Sequence, residues 1–541
     1  MMHEMLATSR PLTASWYPAD RSIPLIEQPV GEILLAAADR FDDAIALIDG
    51  QSAPGLRRSW SFRDLAADAR LAAQALLEHF EPGDHVAIWS SNRPEWAIVE
   101  YGAALAGLVL VTVNPAYLAH ELTHVLRQSR AKGIIVEDNY RGRDLCAIVA
   151  QVRTDLPGLE FVLPLSGWGD FMTTDTDRQL PKVLPEAIAQ IQYTSGTTGF
   201  PKGACLKHRG LANNARLYAE TIGAREGDVW INAMPMFHTA GCGLATLGAL
   251  QTGGTQVMAP GFDADRMLDL FEHLRGTITL CVPTMLTRML EVQEKAPRDL
   301  TTWRLVTLGG APVPPELVRR AQRVAGVEVG IGFGQTESSP YLTHTLPADP
   351  HPQWAETIGR PLPQTEVKII DPASGAVQPI GVSGEICARG YCIMAGYHDS
   401  EEATKSAIDA EGWLHTGDVG SMDEYGYCRV LGRLRDMIIR GGENVYPREI
   451  EDVLIAHPGV ADAAVVGIPD ADWGETVAAC IRPAEAGQPS PEDLTDYCRA
   501  RLAGYKVPRR WHFMEVFPQT ASGKVQKFAL RDILLSRASG D

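Results

Sequence analysis

Apolar positions in the first third of the chain alternate between a helical spacing and short unbroken runs. After Ser61, a residue type that caps helices, Leu65, Ala69, Ala72 and Leu76 recur three and four residues apart, which predicts a helix with one buried face. Pro82-Gly83-Asp84 turns the chain into His85-Val86-Ala87-Ile88-Trp89, a short strand. A helix over 93–105, a strand over 108–113 closed by Asn114-Pro115, a helix to about residue 128 and a strand over 133–136 follow. Strands alternating with helices at this spacing predict an α/β fold built on a parallel, doubly wound sheet.

Residues 137–188, rich in Asp, Thr, Pro and Gly, read as weakly structured connection. A second series starts with a strand ending at Tyr193, a loop, and a helix from about Leu206. Strands follow over 229–234, 255–258, 277–281, 304–308 and 327–333 with helices between them. The repeated architecture predicts two stacked α/β subdomains. From about Ile358 short strands such as 367–370 and 384–388 are split by Gly, Pro and Asp, predicting a small β-barrel or β-sheet unit ending near Arg433. Short strands and helices over 447–456 and 491–502 predict a compact α+β domain. The expected domains are therefore 1–434 and a smaller C-terminal 435–541.

Composition narrows the function classes. A chain of 541 residues is too long for one core. The net charge of −18 excludes the basic footprint that nonspecific nucleic-acid binding needs. Nine cysteines without a CxxC pair, several in apolar surroundings such as Cys205, Cys242, Cys281 and Cys387, predict reduced thiols and a cytoplasmic location. No secretory signal is visible in residues 1–20, and the longest apolar run, 101–113, is too short to span a bilayer. The expected partners are small molecules, with no transmembrane segment; a homodimer is an open alternative to a monomer.

Candidate chemistry centres on Tyr193-Thr194-Ser195-Gly196-Thr197-Thr198-Gly199-Phe200-Pro201-Lys202-Gly203. Glycines let successive N–H groups turn inward as an anion-binding nest, hydroxyls add donors and Lys202 adds charge. It is a loop for a polyphosphate, but not a Walker loop, since no Gly-Lys-Ser/Thr triplet ends it. His120-Glu121-Leu122-Thr123-His124 matches the zincin pattern H-E-x-x-H. A zinc site needs a third ligand, none stands at a familiar spacing, and the segment reads as an amphipathic helix burying Leu118, Leu122 and Leu126.

Four further segments carry polar groups beside glycines. Pro235-Met236-Phe237-His238-Thr239-Ala240-Gly241 leaves a strand and enters a helix, where a crevice opens in such folds. In Leu308-Gly309-Gly310-Ala311-Pro312 the glycines would let a flat ring approach the backbone. Ile331-Gly332-Phe333-Gly334-Gln335-Thr336-Glu337 holds one acid, suited to a hard cation that wants oxygen ligands. In 412–418, Asp418 follows a glycine turn and could accept from the two hydroxyls of a ribose.

These motifs, with Gly432-Arg433-Leu434-Arg435-Asp436, the stretch through Glu451, and Thr520-Ala521-Ser522-Gly523-Lys524, resemble in order and spacing the acyl-adenylate-forming superfamily, most closely its medium-chain fatty acyl-CoA synthetases. The resemblance implies ATP and Mg²⁺ as cofactors, CoA as co-substrate and AMP as product. It implies that Thr194, Ser195, Gly196, Thr197, Thr198, Gly199 and Lys202 hold phosphates. Gly310, Ala311, Pro312, Gly332, Phe333, Gly334, Gln335 and Thr336 would take adenine, with Phe333 stacking on it. Asp418, Val430 and Arg433 would complete the nucleotide site, Asp418 on the ribose. Thr194 and Glu337 would hold Mg²⁺, and Lys524 would bridge the substrate carboxylate and the α-phosphate. Phe237, His238, Gly241, Cys242, Thr284, Gly309 and Ile331 would line the acyl pocket, with His238 as its gate. Arg435 falls at the hinge, where Asp or Lys is commoner, and Gly441, Gly442, Glu443 and Asn444 would line a CoA channel.

His238 stands where amino-acid-activating relatives carry an aspartate, which argues against an amino-acid substrate. The apolar pocket segments suit a monocarboxylic acid, a medium-chain fatty acid first and an aryl acid second. A ligase serving a separate carrier protein, a luciferase-like oxidation and a non-catalytic nucleotide-binding regulator are the other readings.

Overall fold

The computed structural model describes residues 11–51, 55, 57–173, 178–194, 201–347, 349, 351–441, 443–470, 472–484, 487–518 and 525–538. The chain groups into two compact units, Tyr17–Val367 with Ala388–His415, and Met1–Trp16 with Lys368–Cys387 and Thr416–Asp541.

The larger unit holds two sheets. One runs in the order Gly396–Tyr397, Lys202–Lys207, Ile188–Thr194, Val109–Val113, His85–Trp89, Gly133–Val136, Phe161–Pro164. It is parallel from Ile188–Thr194 to Phe161–Pro164 and antiparallel at the other edge. The second runs Arg360–Pro361, Tyr341–His344, Glu328–Gly334, Leu305–Leu308, Ile278–Cys281, Val229–Asn232, Thr255–Met258, Ile45–Asp49, Ser59–Ser61, with a parallel centre.

Helices Val30–Phe41, Phe62–Leu77, Pro94–Leu105 and His208–Thr221 share one core with Val86, Ile88 and Leu110 of the first sheet and Leu47 and Met258 of the second. A helical layer thus separates the sheets. Helices Ala264–Leu274, Pro283–Lys295 and Pro315–Ala325 cover the outer face of the second sheet, and Ala119–Gln128 with Leu145–Arg153 that of the first. With both faces covered, the strands read as continuous apolar runs, which is why their expected positions agree with the observed ones within about two residues.

Three expectations differ from the structure in the larger unit. Residues 137–188 are not mere connection: Leu145–Arg153 is a helix capped by the Asp144 carboxylate on the Ala147 N–H, burying Leu145, Val149 and Val152, and Phe161–Pro164 is an edge strand. Between the expected loop and helix lies the strand Lys202–Lys207, antiparallel to Ile188–Thr194. The phosphate-type loop therefore closes a hairpin, and the helix begins at His208. Leu118 does not join the buried face of its helix; it precedes the first turn and is exposed, whereas Leu122, Val125 and Leu126 are buried.

The β-rich segment is a five-stranded sheet in the order Trp16–Tyr17, Thr365–Ile370, Gly384–Gly390, Leu414–Met422, Cys428–Arg433. The C-terminal part of the smaller unit pairs Ile438–Arg440, Glu443–Val445, Val460–Asp470, Gly474–Pro483 and Arg510–Phe513. Helices Pro447–Ile455 and Pro491–Arg499 pack on that sheet. A third helix, Lys527–Ala538, was not expected; it buries Leu530 and Leu534 but leaves Phe528 exposed, which blurs its apolar stripe.

Candidate active site

In the second sheet Val229–Asn232, Ile278–Cys281, Leu305–Leu308 and Glu328–Gly334 are parallel neighbours. The segments leaving their C-terminal ends emerge along one edge, the place where open parallel sheets bind ligands. Those segments carry Phe237 and His238, Thr284, Gly309 to Pro312, and Gln335 to Glu337. Separate sequence motifs are thus brought to one edge by strand order alone.

The Phe237–His238 segment is held from both sides. The Asn92 side chain donates to the carbonyls of Met234 and Ala259 and accepts from the Met236 N–H at 2.8 Å, and the Thr112 hydroxyl donates to the Phe237 carbonyl at 2.9 Å. The rings of Phe237 and His238 lie 4.5 Å apart. The chain then enters a π-helix, Ala240–Leu247, a widened turn common at functional sites. A Cβ on Gly241 would meet the Pro235 carbonyl oxygen at 2.3 Å, so the residue must be glycine. Sequence reasoning missed Asn92, whose role exists only once distant carbonyls converge on it.

The glycines of the adenine-type motifs do different work from one another. The Cβ position of Gly309 is taken by the Tyr341 hydroxyl at 2.4 Å, and that of Gly332 by the Tyr341 ring. Both make room for a core tyrosine. Gly310 has φ +74° and nothing nearer than 3.7 Å, so the open backbone expected of the pair is at Gly310 alone. Gly334 lets the Pro340 carbonyl approach to where a Cβ would sit 1.9 Å away. That contact folds the chain back so that the turn Thr336–Ser338 presents Glu337. Ile331 packs in the core with Leu286 and Leu308, while Thr284 is exposed at the start of its helix.

Glu337 is buried, and its carboxylate accepts from the Tyr397 hydroxyl at 2.6 Å. Burial, then the adjoining Glu337 carboxylate, raises the Tyr397 hydroxyl well above its ordinary range, so it stays a donor. Gly396–Tyr397 pairs with Ala204 and Cys205 on the hairpin's second strand, and the Lys202 ammonium lies 5.3 Å from the centre of the Tyr397 ring. Thr194 ends the first hairpin strand opposite Lys202. Tyr397 thereby ties the hairpin to the acid, a role its sequence context gives no sign of. We predict that Tyr397→Phe, which leaves a buried carboxylate oxygen without its donor, lowers the melting temperature by about 2 °C or more; an unchanged melting temperature would remove this tie.

In the smaller unit Asp418 and Arg433 face each other across paired strands, and the Arg433 Nε–H donates to the buried Asp418 carboxylate at 2.9 Å. Val430 lies on the same strand as Arg433. Burial, then the charge of Arg433, lowers the pKa of Arg435. Arg440 pairs with Glu443, so the chain reverses between them; Gly441 has φ +61° and a Cβ there would meet the Trp473 ring at 2.6 Å. Ser195, Gly196, Thr197, Thr198, Gly199, Gly442, Lys524 and the side chain of Asn444 lie outside the described residues. In the H-E-x-x-H segment the Glu121 carboxylate accepts from the Leu118 N–H at 2.8 Å, closing the helix start, and a His124 ring nitrogen lies 3.3 Å from the Pro201 carbonyl.

Glu337 offers a carboxylate and Thr194 a hydroxyl, oxygen donors of the kind Mg²⁺ takes. Among the described residues no helix is long and apolar enough to cross a membrane.

The sequence pattern of the AMP-binding enzymes matches residues 34–398, and that of the AMP-binding enzyme C-terminal domain matches 449–524. The chain belongs to the AMP-binding enzyme family. It is 39% identical to YngI of Bacillus subtilis, named provisionally as an acyl-CoA synthetase, over 94% of this chain and 97% of that one. It is 35% identical to the mitochondrial medium-chain acyl-CoA ligase ACSF2 of Danio rerio over 96% of this chain and 91% of that one. Among solved structures, the anthranilate CoA ligase AuaEII in complex with anthranoyl-AMP superposes with a TM-score of 0.86 at 28% identity, covering 95% of this chain and 99% of that one. ATP-bound MatB from Rhodopseudomonas palustris superposes with a TM-score of 0.84 at 30% identity, covering 93% and 98%.

Proposed function

We propose that this protein is an AMP-forming acyl-CoA synthetase that converts a medium-chain fatty acid, ATP and CoA to acyl-CoA, AMP and pyrophosphate. The observation that carries this is the buried Glu337 carboxylate, held by Tyr397 beside the Thr194–Lys202 hairpin at the carboxyl edge of the second sheet. The medium-chain ligase among its relatives supports the acyl class.

A carboxylate acylates poorly because its leaving group would be oxide. Attack on the α-phosphate replaces oxide with a phosphate leaving group, and the obstacle becomes repulsion between two anions. Catalysis is then positioning and electrostatics. The 195–199 loop and Lys202 hold the β- and γ-phosphates, Phe333 faces adenine, and Asp418 with Arg433 holds the ribose. Thr194 and Glu337 would hold Mg²⁺, which when bound would neutralise phosphate charge. Lys524 bridges the carboxylate and the α-phosphate as charge develops. Gly441 to Asn444 would line the path of the CoA thiol in the second half-reaction. The nine cysteines, most of them buried, support a reducing, cytoplasmic setting.

Acid-dependent AMP release over a panel of aliphatic and aromatic acids, with and without CoA, tests this reading. A carrier-protein ligase would form acyl-AMP but no thioester with CoA, and a regulator would release no AMP. The anthranilate ligase neighbour favours aryl acids as the second reading. Gly441→Leu, which strains a left-handed turn against Trp473, is expected to slow thioester formation from supplied acyl-AMP about tenfold or more while adenylation is slowed less; equal slowing would remove the channel role.

A further inference from the structure

Successive even-numbered side chains of a strand lie on one face, about 7 Å apart along it. On Ile188–Thr194 that face carries Gln190, Gln192 and Thr194, whereas Ile191 and Tyr193 on the opposite face join the outer core. A row of polar groups therefore leads from Thr194, at the reacting edge, into the helical layer between the sheets. There it continues sideways. The Gln192 Nε2–H donates to Gln190 Oε1 at 2.7 Å, and Gln190 Nε2–H donates to Glu100 Oε1 at 2.6 Å. Gln192 also donates to the Cys242 sulfur at 3.2 Å, and that thiol lies 3.4 Å from the His238 carbonyl. The row thus runs from the hairpin to the π-helix that follows the proposed gate.

Glu100, Gln190, Gln192 and Cys242 are each at most 2% exposed. Glu100 Oε2 and Gln192 Oε1 are buried and have no hydrogen-bond partner among the described residues. Leaving such atoms in a dry apolar setting costs about 1–3 kcal/mol each, and buried polar groups ordinarily find partners. An alkyl chain laid against them would supply none. Burial raises the Glu100 carboxyl well above the usual carboxylate range, which favours its neutral, donating form, while Gln192 Oε1 only accepts.

We propose that this row forms a polar wall of the acyl pocket that selects acids carrying a hydroxyl on the chain, away from the carboxylate. A hydroxyl both donates and accepts, so it can satisfy Gln192 Oε1 by donation or the Glu100 acid by acceptance. Gln192, nearest Thr194, is the specificity-determining residue. The inference rests on the acyl-CoA synthetase reading and names its substrate class.

The test compares octanoate with octanoates hydroxylated near the carboxylate, mid-chain and at the far end, scored by kcat/KM for AMP release in the wild type and in Gln192→Leu. A wild-type preference for one of the hydroxylated chains of about tenfold or more, falling to unity or below in the variant, is expected. Equal use of octanoate and all hydroxylated acids by the wild type overturns the inference and leaves the ligase reading standing. No AMP release with any aliphatic or aromatic acid overturns the ligase reading itself, and the inference with it. A second readout needs no variant: the wild-type melting temperature should rise more with the preferred hydroxyoctanoate than with octanoate, and equal shifts count against the polar wall.

Discussion

Lys524→Ala is expected to lower adenylation of the acid by on the order of 10²–10³-fold, the loss typical of one preorganised charge contact to a transition state. Charge builds on the α-phosphate oxygens as the carboxylate attacks, and an ammonium that bridges both reacting groups binds that arrangement more tightly than the separated reactants. Thioester formation from supplied acyl-AMP has no such requirement, since the leaving phosphate is already made. The variant should therefore convert supplied acyl-AMP and CoA at close to the wild-type rate. The two half-reactions are measured separately, pyrophosphate release for the first and thioester from synthetic acyl-AMP for the second. Equal damage to both would sink the division of labour between Lys524 and the segment around Gly441.

What could be read from the sequence followed from how strongly each residue's role is local. The strands His85–Trp89 and Gly133–Val136 were legible to the residue, because burial on both faces writes itself as an apolar run between turn residues. Leu145–Arg153 was not: its nine residues are enclosed by Asp144 on one side and Thr154, Asp155 and Gly158 on the other, so the composition of the whole stretch hid it, and its cap is visible only beside the helix it starts. The motifs located Glu337 and His238, but not Tyr397 or Asn92. Those two act on atoms far away in the chain, 60 residues for Tyr397 and 142 or more for the carbonyls on Asn92. Likewise the pair Gly309-Gly310 looks symmetrical in sequence. Only the Tyr341 hydroxyl, arriving from the antiparallel strand two places along the sheet, makes one glycine a packing residue and leaves the other open. The polar row behind Thr194 was hidden for the same reason, since Glu100 lies on a helix whose other residues are buried all round and gives no amphipathic signal.

Glu337→Gln is expected to cost adenylation on the order of 10²-fold while leaving the fold in place. The amide keeps the size of the acid and can still accept from the Tyr397 hydroxyl through its oxygen, so the bond that joins the turn Thr336–Ser338 to Gly396–Tyr397 survives. What it removes is the negative charge, and a hard dication held by phosphates and a single carboxylate loses most when that charge goes. The deficit should therefore shrink as Mg²⁺ is raised, and the Mg²⁺ concentration for half-maximal rate should move upward by about tenfold or more. A purely structural Glu337 predicts the opposite pair of results: a lower melting temperature and a rate deficit that no Mg²⁺ concentration repairs. Because Thr194 stands on the other side of the hairpin from Lys202, Thr194→Val should displace the same titration in the same direction but less, having lost a neutral ligand rather than a charged one. If Glu337→Gln and wild type titrate with Mg²⁺ identically, the acid is not a metal ligand, and the phosphate charge must be met by Lys202 and the 195–199 loop alone.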